Sequence, residues 1–225
     1  MTTTPLEMLR AVPILSGVPE NDLGALAAAC RERSFSAGQV IFRQDAPGDS
    51  LYVLIDGRVK VVLIGEDGRE VILSVLGAGA VFGEMSLLDN EPRSAHVIAM
   101  TPCSALTLHR AAFHERLRAS PDLCLALLAA ISSRLRRADD RIRALSLLDV
   151  NGRVAHLLLQ QATEAGSDVF PRRLTHQTVA EMIGASRETV SRTLRHLVNR
   201  GVISIGRRQV TILDRAALEA AVRPT

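Results

Sequence analysis

Two stretches carry residue types whose spacing could do chemistry. The first is Phe82-Gly83-Glu84-Met85-Ser86-Leu87-Leu88-Asp89-Asn90-Glu91-Pro92-Arg93-Ser94-Ala95. A glycine followed by helix-compatible residues can point free backbone N–H groups at an anion. Arg93 offers a two-pronged donor to a phosphate, and Ser94 adds a hydroxyl. Glu84 can only accept when ionised, which suits a sugar hydroxyl. Together they could hold a ribose bearing one negative charge. A buried Arg93 without an anion would be expensive. The alternative is that Arg93 and Glu84 pair with each other, or with neighbours, on the surface.

The second stretch runs from Leu174 to Ile203, LTHQTVAEMIGASRETVSRTLRHLVNRGVI. Thr175 can cap a helix carrying Val179, Ala180 and Ile183. Gly184 supplies a turn, and Ser186 caps a second helix carrying Val190, Leu194 and Leu197. A small residue at 180, glycine at 184 and a β-branched residue at 190 let two helices approach around a sharp turn. That is helix-turn-helix spacing, against the plainer reading of a helical hairpin. The outward residues favour the former. Arg187 and Arg192 could each bond a guanine edge, and Glu188 could accept from a cytosine amino group. Ser186, Thr189 and His196 suit phosphate oxygens; Thr175, Ser191 and Arg195 complete the DNA-facing set. Beyond them, Val202–Ile205 and Val210–Leu213 flank Gly206-Arg207-Arg208-Gln209, a hairpin with a basic tip that reads as a wing.

Other elements must position these two stretches. Residues 6–33 hold apolar positions at helical spacing. From Ser34 to His109, short runs such as Val40–Phe42, Leu51–Ile55, Val59–Ile64 and Val71–Leu76 alternate with glycine turns, which predicts an antiparallel barrel or roll. Asp56-Gly57 and Asp67-Gly68 read as hairpin turns, with positive φ at both residues. A short helix near Arg110–Ala119 follows, then a long one from Pro121 to Leu148. On the long helix Leu128, Ile131, Leu135, Ala138, Ile142 and Leu145 form an a/d seam of about three heptads, flanked by charges. The spacing suits a helix paired with its own copy; packing on its own domain is the alternative. Asp149 is a natural N-cap for a helix reaching about Thr163, and Glu164–Pro171 reads as a polar loop.

The 225 residues suffice for two small cores, and 47% apolar content fits a globular chain. No run approaches a membrane span, and the N-terminus lacks the basic start and apolar core of a signal peptide, so the cytoplasm is expected. Cys30, Cys103 and Cys124 form no CxxC pair, which argues against a disulfide framework or a metal site. Residues 1–146 carry 16 basic against 17 acidic side chains, and residues 147–225 carry 11 against 7, so the surplus behind the net +3 lies in the C-terminal part. That points to a polyanionic partner there. No nucleophile–base spacing, metal cluster or P-loop suggests an enzyme.

FGEMSLLDNEPRSAHVIA resembles the phosphate-binding cassette of the catabolite activator protein (CRP/FNR) family of cyclic-nucleotide-sensing transcription regulators. SRETVSR is similar to that family's recognition-helix core, and the likeness covers roughly residues 10–215. It implies an α+β chain: an N-terminal antiparallel β-roll of the double-stranded β-helix type at 1–120, a dimerisation helix at 121–148, and a winged helix-turn-helix at 149–225. Gly83, Glu84, Arg93 and Ser94 would contact ribose and cyclic phosphate, with Met85 beside them. Val61, Leu73 and Ser74 would line the pocket, and Arg134 would lie near the nucleotide. The family's prototype sets hydroxyl residues against the adenine where this chain has Ala138 and Asp139. Leu148 and Asp149 would form the hinge. The resemblance implies cAMP as effector, double-stranded DNA with a TGTGA-like half-site, a homodimer, and RNA polymerase as a further partner. Another cyclic nucleotide, a cyclic dinucleotide or no ligand remain alternatives at the sensor.

Overall fold

Thr4 opens α1 (Pro5–Arg10) with a reciprocal cap: Glu7 N–H donates to its hydroxyl and Thr4 N–H donates to the Glu7 carboxylate. A 3-10 turn at Pro13–Leu15 leads to α2 (Glu20–Ala29). The computed structural model describes residues 4–223. The first three and last two residues of the expected domains lie outside that range.

Strands β1 (Arg31–Phe35), β2 (Val40–Phe42), β3 (Ser50–Asp56), β4 (Arg58–Ile64), β5 (Glu70–Gly77) and β6 (Val81–Phe82) come next. They are followed by α3 (Met85–Asp89), β7 (His96–Ala99) and β8 (Cys103–His109). All pairings are antiparallel, in two four-stranded sheets ordered β1-β8-β3-β6 and β2-β7-β4-β5. Tyr52, Leu54, Phe82 and Ala105 of the first sheet pack with Val59, Val97 and Ala99 of the second. Within that core the Tyr52 and Phe82 rings stack 5.1 Å apart. On its other face the first sheet packs Leu51, Val53, Leu106 and Leu108 against Leu9, Leu23, Leu26 and Phe113 from the helices. Burial on both faces explains why β3 reads as an unbroken apolar run rather than an alternating one.

The two Asp-Gly turns differ from expectation. Asp67-Gly68 closes the β4–β5 hairpin, but β3 and β4 lie in different sheets, so Asp56-Gly57 turns a corner of the roll instead. Only the glycines take positive φ, +85° at Gly57 and +75° at Gly68. A corner and a hairpin use the same local sequence; the choice of partner strand is made by the core.

Helices α4 (Arg110–Ala119) and α5 (Pro121–Leu147) follow, with the Ser120 hydroxyl accepting from Leu123 N–H at the start of α5. Packing divides the chain inside α5, between Arg134 and Leu135. Upstream, Leu123, Ala126 and Leu127 join the core around the first sheet.

The second unit adds α6 (Val150–Ala165), β9 (Val169–Pro171), α7 (His176–Ile183) and α8 (Arg187–Asn199). It ends with β10 (Ile203–Ile205), β11 (Gln209–Ile212) and α9 (Arg215–Ala221). Asp149 caps α6 as expected, accepting from Gly152 N–H at 2.8 Å. Part of the expected polar loop at Glu164–Pro171 is a strand: β9 pairs with β11 in a sheet ordered β10-β11-β9. Phe170 buries its ring there, and Pro171 is tolerated because β9 is an edge. Unlike Val40–Phe42, this run ends in a proline, so it does not announce a strand. Among the described residues no helix is long and apolar enough to cross a membrane.

Gly57 tests the corner. A methyl there would fall 2.4 Å from Cys103 Cβ and from Pro102 O, on a backbone at φ +85°. Gly57→Ala is expected to remove about 2 kcal/mol or more of stability, read as a lower urea midpoint for the roll; an unchanged midpoint would show that the corner can re-form.

Candidate functional site

Gly83 turns the chain from β6 into α3 at φ +80°, and a Cβ on it would lie 2.8 Å from Arg93 Nη1. Only glycine lets the guanidinium approach so closely. Arg93 is 3% exposed. Its Nη1 donates to Gly83 O and its Nη2 to Ser50 O, each at 2.6 Å. Its Cζ sits 4.2 Å from the centroid of the Phe42 ring. Among the described residues its Nε has no hydrogen-bond partner. Burial pushes the Arg93 pKa down, against the fields of Tyr52, Asp49 and Glu84 and with that of Arg110. A cation is thus enclosed by neutral carbonyls and a π face, with no carboxylate of the described residues in direct contact.

Glu84 is 2% exposed. It does not pair with Arg93: its Oε1 accepts from Arg134 Nη1 at 2.6 Å, and Arg134 Nη2 donates to Val81 O at 2.7 Å. Glu84 Oε2 is buried with no partner among the described residues, leaving an acceptor free for a hydroxyl. Ser94 is exposed, its hydroxyl 3.9 Å from Met85 Sδ, and Met85 is exposed too. Val61 and Ser74 face each other across β4 and β5, in the sheet whose β2 carries Phe42. The register shifts just beyond that pair, and Leu73, the extra residue on β5, is exposed. Ala138 and Asp139 are exposed on α5, one turn beyond Arg134.

Two positioning residues escaped the sequence reading. Arg110, at the start of α4, donates from Nη2 to Gly48 O and to Ser86 O, and from Nη1 to Asn90 Oδ1. One turn later, His114 Nε2 lies 2.6 Å from Leu87 O. Helix α4 therefore holds carbonyls of α3, and also Asn90, which ends α3 at φ +62°. Gly48 is part of the same assembly, since a Cβ there would lie 2.4 Å from Ser86 Cβ and 3.1 Å from Arg93 Cζ. No motif links these positions. The only signal was Gly48 within Ala46-Pro47-Gly48-Asp49, legible as a turn but not as a close approach.

In the second unit, Thr175 accepts from Thr178 N–H at the head of α7, and Ser186 accepts from Thr189 N–H at the head of α8, each at 3.1 Å. Gly184 takes φ +64° between them. Ala180 and Val190 are buried where the helices meet, and the Thr193 hydroxyl ties α8 to Asn151 of α6 at 3.1 Å. Ser186, Arg187, Glu188, Arg192, Arg195 and His196 are exposed together on α8 and its cap; Thr189 and Ser191 are half-buried. Arg207 and Arg208 are exposed at the tip of the β10–β11 hairpin. Burial lowers the His176 pKa, and the nearby Arg172 and Arg187 push it the same way.

Along α5, Leu128, Leu135 and Ile142 are about 60% exposed (59%, 62% and 62%), Leu145 and Ala138 are exposed, and Ile131 is half-buried. A row of large apolar side chains left uncovered at heptad spacing is a surface made for a partner helix.

A roll with a buried cation and a winged helix-turn-helix with a basic outer face together define a ligand-responsive DNA-binding regulator. Residues 32–120 match the cyclic nucleotide-binding domain, and residues 152–221 match the Crp-like helix-turn-helix domain. The chain is 34% identical over 222 residues to the CRP-like cAMP-activated global transcriptional regulator of Mycobacterium tuberculosis (strain H37Rv), covering 96% of this chain and 99% of that protein. It is 33% identical over 211 residues to the cyclic AMP receptor protein of Thermus thermophilus, covering 94% and 97%. The solved structure of FixK2 from Bradyrhizobium japonicum shares the fold at a TM-score of 0.77, with 24% identity over 87% of this chain and 98% of that one. The chain belongs to the CRP/FNR family of transcriptional regulators.

Arg110→Ala removes three hydrogen bonds that hold the cassette helix while leaving Arg93 and Glu84 in place. At about 1 kcal/mol per bond, with solvent replacing part of it, cyclic-nucleotide affinity should fall roughly tenfold by calorimetry; unchanged affinity would mean that α3 holds its place without α4.

Proposed function

We propose that the chain is a homodimeric transcription regulator in which cAMP bound in the roll controls the reading of a palindromic TGTGA-like operator. The observation that carries this reading is Arg93, a buried guanidinium on carbonyl oxygens beside a buried carboxylate with one spare oxygen. The pair is chemically matched to a cyclic phosphate next to a ribose hydroxyl. Arg93 takes the phosphate charge, Glu84 Oε2 accepts the 2′-hydroxyl, and Ser94 and the N–H groups after Gly83 complete the cradle. Met85, Val61, Leu73 and Ser74 border it. Arg134 holds Glu84 in orientation through Oε1. Asp139 can accept from an adenine amino group, whereas Ala138 offers only a methyl. These two residues support a second reading, a cyclic nucleotide with another base, at the same phosphate and ribose positions.

On the DNA side, Arg187, Glu188 and Arg192 read base edges, while Thr175, Ser186, Thr189, Ser191, Arg195 and His196 position the helix on phosphates. Leu128, Ile131, Leu135, Ala138, Ile142 and Leu145 form the dimer seam, setting the two α8 helices about one DNA turn, ~34 Å, apart. We assign residues 1–120 to the sensor, 121–148 to the dimerisation helix and 149–225 to the DNA reader. Leu148 and Asp149 serve as the hinge, at the break between α5 and the capped start of α6. RNA polymerase is the further partner we assign, and the cytoplasm the compartment.

Fluorescence anisotropy on a palindromic TGTGA duplex tests both halves. Saturating cAMP should tighten binding at least about tenfold, the ordinary size of an allosteric coupling, and Arg93→Leu should abolish the response. No change with cAMP removes it as the effector, and a larger response to cGMP selects the second reading. Arg187→Ala should cost about 1–3 kcal/mol of discrimination at one base pair of each half-site; equal loss on random DNA would reduce Arg187 to a phosphate contact.

A further inference from the structure

Arg141 lies on α5 between the seam residues Ala138 and Ile142, and its Nη2 donates to the Met182 carbonyl at 2.6 Å. Met182 is the penultimate residue of α7, where carbonyls have no intrahelical partner. The N–H groups of Gly184 and Ala185 both return to Ala180 O, so neither reaches Met182 O. A cation at this end also faces the negative pole of the α7 dipole. A second contact meets the same turn. Leu145, one turn beyond Arg141, has its Cδ2 3.7 Å from where a Cβ on Gly184 would stand, and Arg153 Nη1 from α6 is equally near. Arg141 is half-buried, and burial lowers its pKa.

We propose that Arg141 is a positioning residue for operator recognition. It fastens the helix-turn-helix turn to the last turns of the dimerisation helix, so that the seam dictates the separation of the two recognition helices. This rests on the reading of the chain as a dimeric operator-binding regulator. Leu145 makes the link direct, because it belongs to the seam and also touches the turn. The bond itself runs to a main-chain carbonyl of α7, while Arg187, Glu188 and Arg192 on α8 are exposed. A chain without Arg141 therefore keeps its grip on one half-site and loses its sense of how far apart two half-sites are.

The test uses the full-length protein with saturating cAMP. The duplexes carry two TGTGA half-sites at the preferred spacing, or one or two base pairs closer or farther, together with a duplex bearing a single half-site. Two rigidly held readers gain from simultaneous engagement only at matching geometry, so the unaltered protein should prefer one spacing by at least about tenfold. Arg141→Met keeps the length and helix propensity of the side chain; it should flatten the preference to under about threefold, with affinity for the single half-site unchanged and the thermal midpoint lowered by no more than about 2–4 °C. Arg141→Lys, which retains one donor for the carbonyl, should restore part of the preference. An Arg141→Met protein with the original spacing preference overturns the proposal. So does one that weakens equally on every duplex, the single half-site included, since that marks a merely structural role. If the unaltered protein binds none of the duplexes, the operator-binding reading itself fails, which is a separate outcome.

Discussion

The roll is built around a charge almost wholly withdrawn from water, the Arg93 guanidinium. Taking a guanidinium out of water costs several kcal/mol, and carbonyl dipoles and a ring face repay only part of it. The local sequence follows from the need to keep Arg93 enclosed. Gly83 and Gly48 are small where the guanidinium passes, Phe42 lies flat beneath it, and Ser50 turns its carbonyl inward from β3. Each of these comes from a different strand or turn. The site therefore exists only when both sheets are closed, and an anion that completes it also stabilises the roll.

Glu84 extends the same logic to α5. A buried carboxylate needs a partner, and Arg134 supplies it from α5 through one oxygen while leaving the other. Beside the apolar core that Leu87 shares with Leu123 of α5, the cassette and α5 are thereby joined by a charge-assisted bond, which is directional and sensitive to small rotations of the helix. Arg110 and His114 act from α4, meeting α3 at its carbonyls. Between them the cassette helix, five residues long, is fixed at positions that its own length could not stabilise.

What could be read from the sequence was what local order dictates. Val40–Phe42 and the capped pair α7–α8 are legible because strand period, glycine turns and Ser/Thr caps act within a few residues. The seam of α5 is legible for the same reason. Asp56-Gly57 was misread because a turn sequence does not say which strand its neighbour will pair with, and β4 found its partners in the other sheet. Strand β9 was invisible because its three residues gain their order from β11, far along the chain. Around the candidate site, Gly83, Glu84, Arg93 and Ser94 stand close together in sequence, so their spacing could be read there. Phe42, Gly48, Arg110 and His114 meet them only in the fold. Arg134 was placed near the ligand, but its bond to Glu84 depends on the distance between a cassette and a helix, which no spacing rule encodes.

Arg134 and Arg141 are one heptad apart and occupy the same position relative to the seam, each just before an a residue, Leu135 and Ile142. One is bonded to the cassette, the other to the end of α7. Were two chains paired through this seam, a long side chain beside an a position would lie close to the partner helix, so the packing of the pair would bear on both bonds. In such a pair, drawing the seam tighter or turning it by a fraction of a heptad would alter the reach of both guanidinium groups. Such an arrangement needs no continuous path of moving side chains, only a helix pair with two packings and a ligand that prefers one. Its strength is bounded by that preference. A nucleotide that satisfies Arg93 equally well in both packings would bind tightly and change nothing at the operator. On the proposed reading, a hydroxyl accepted by Glu84 Oε2 would be the more consequential contact, because the same carboxylate accepts from Arg134 of α5.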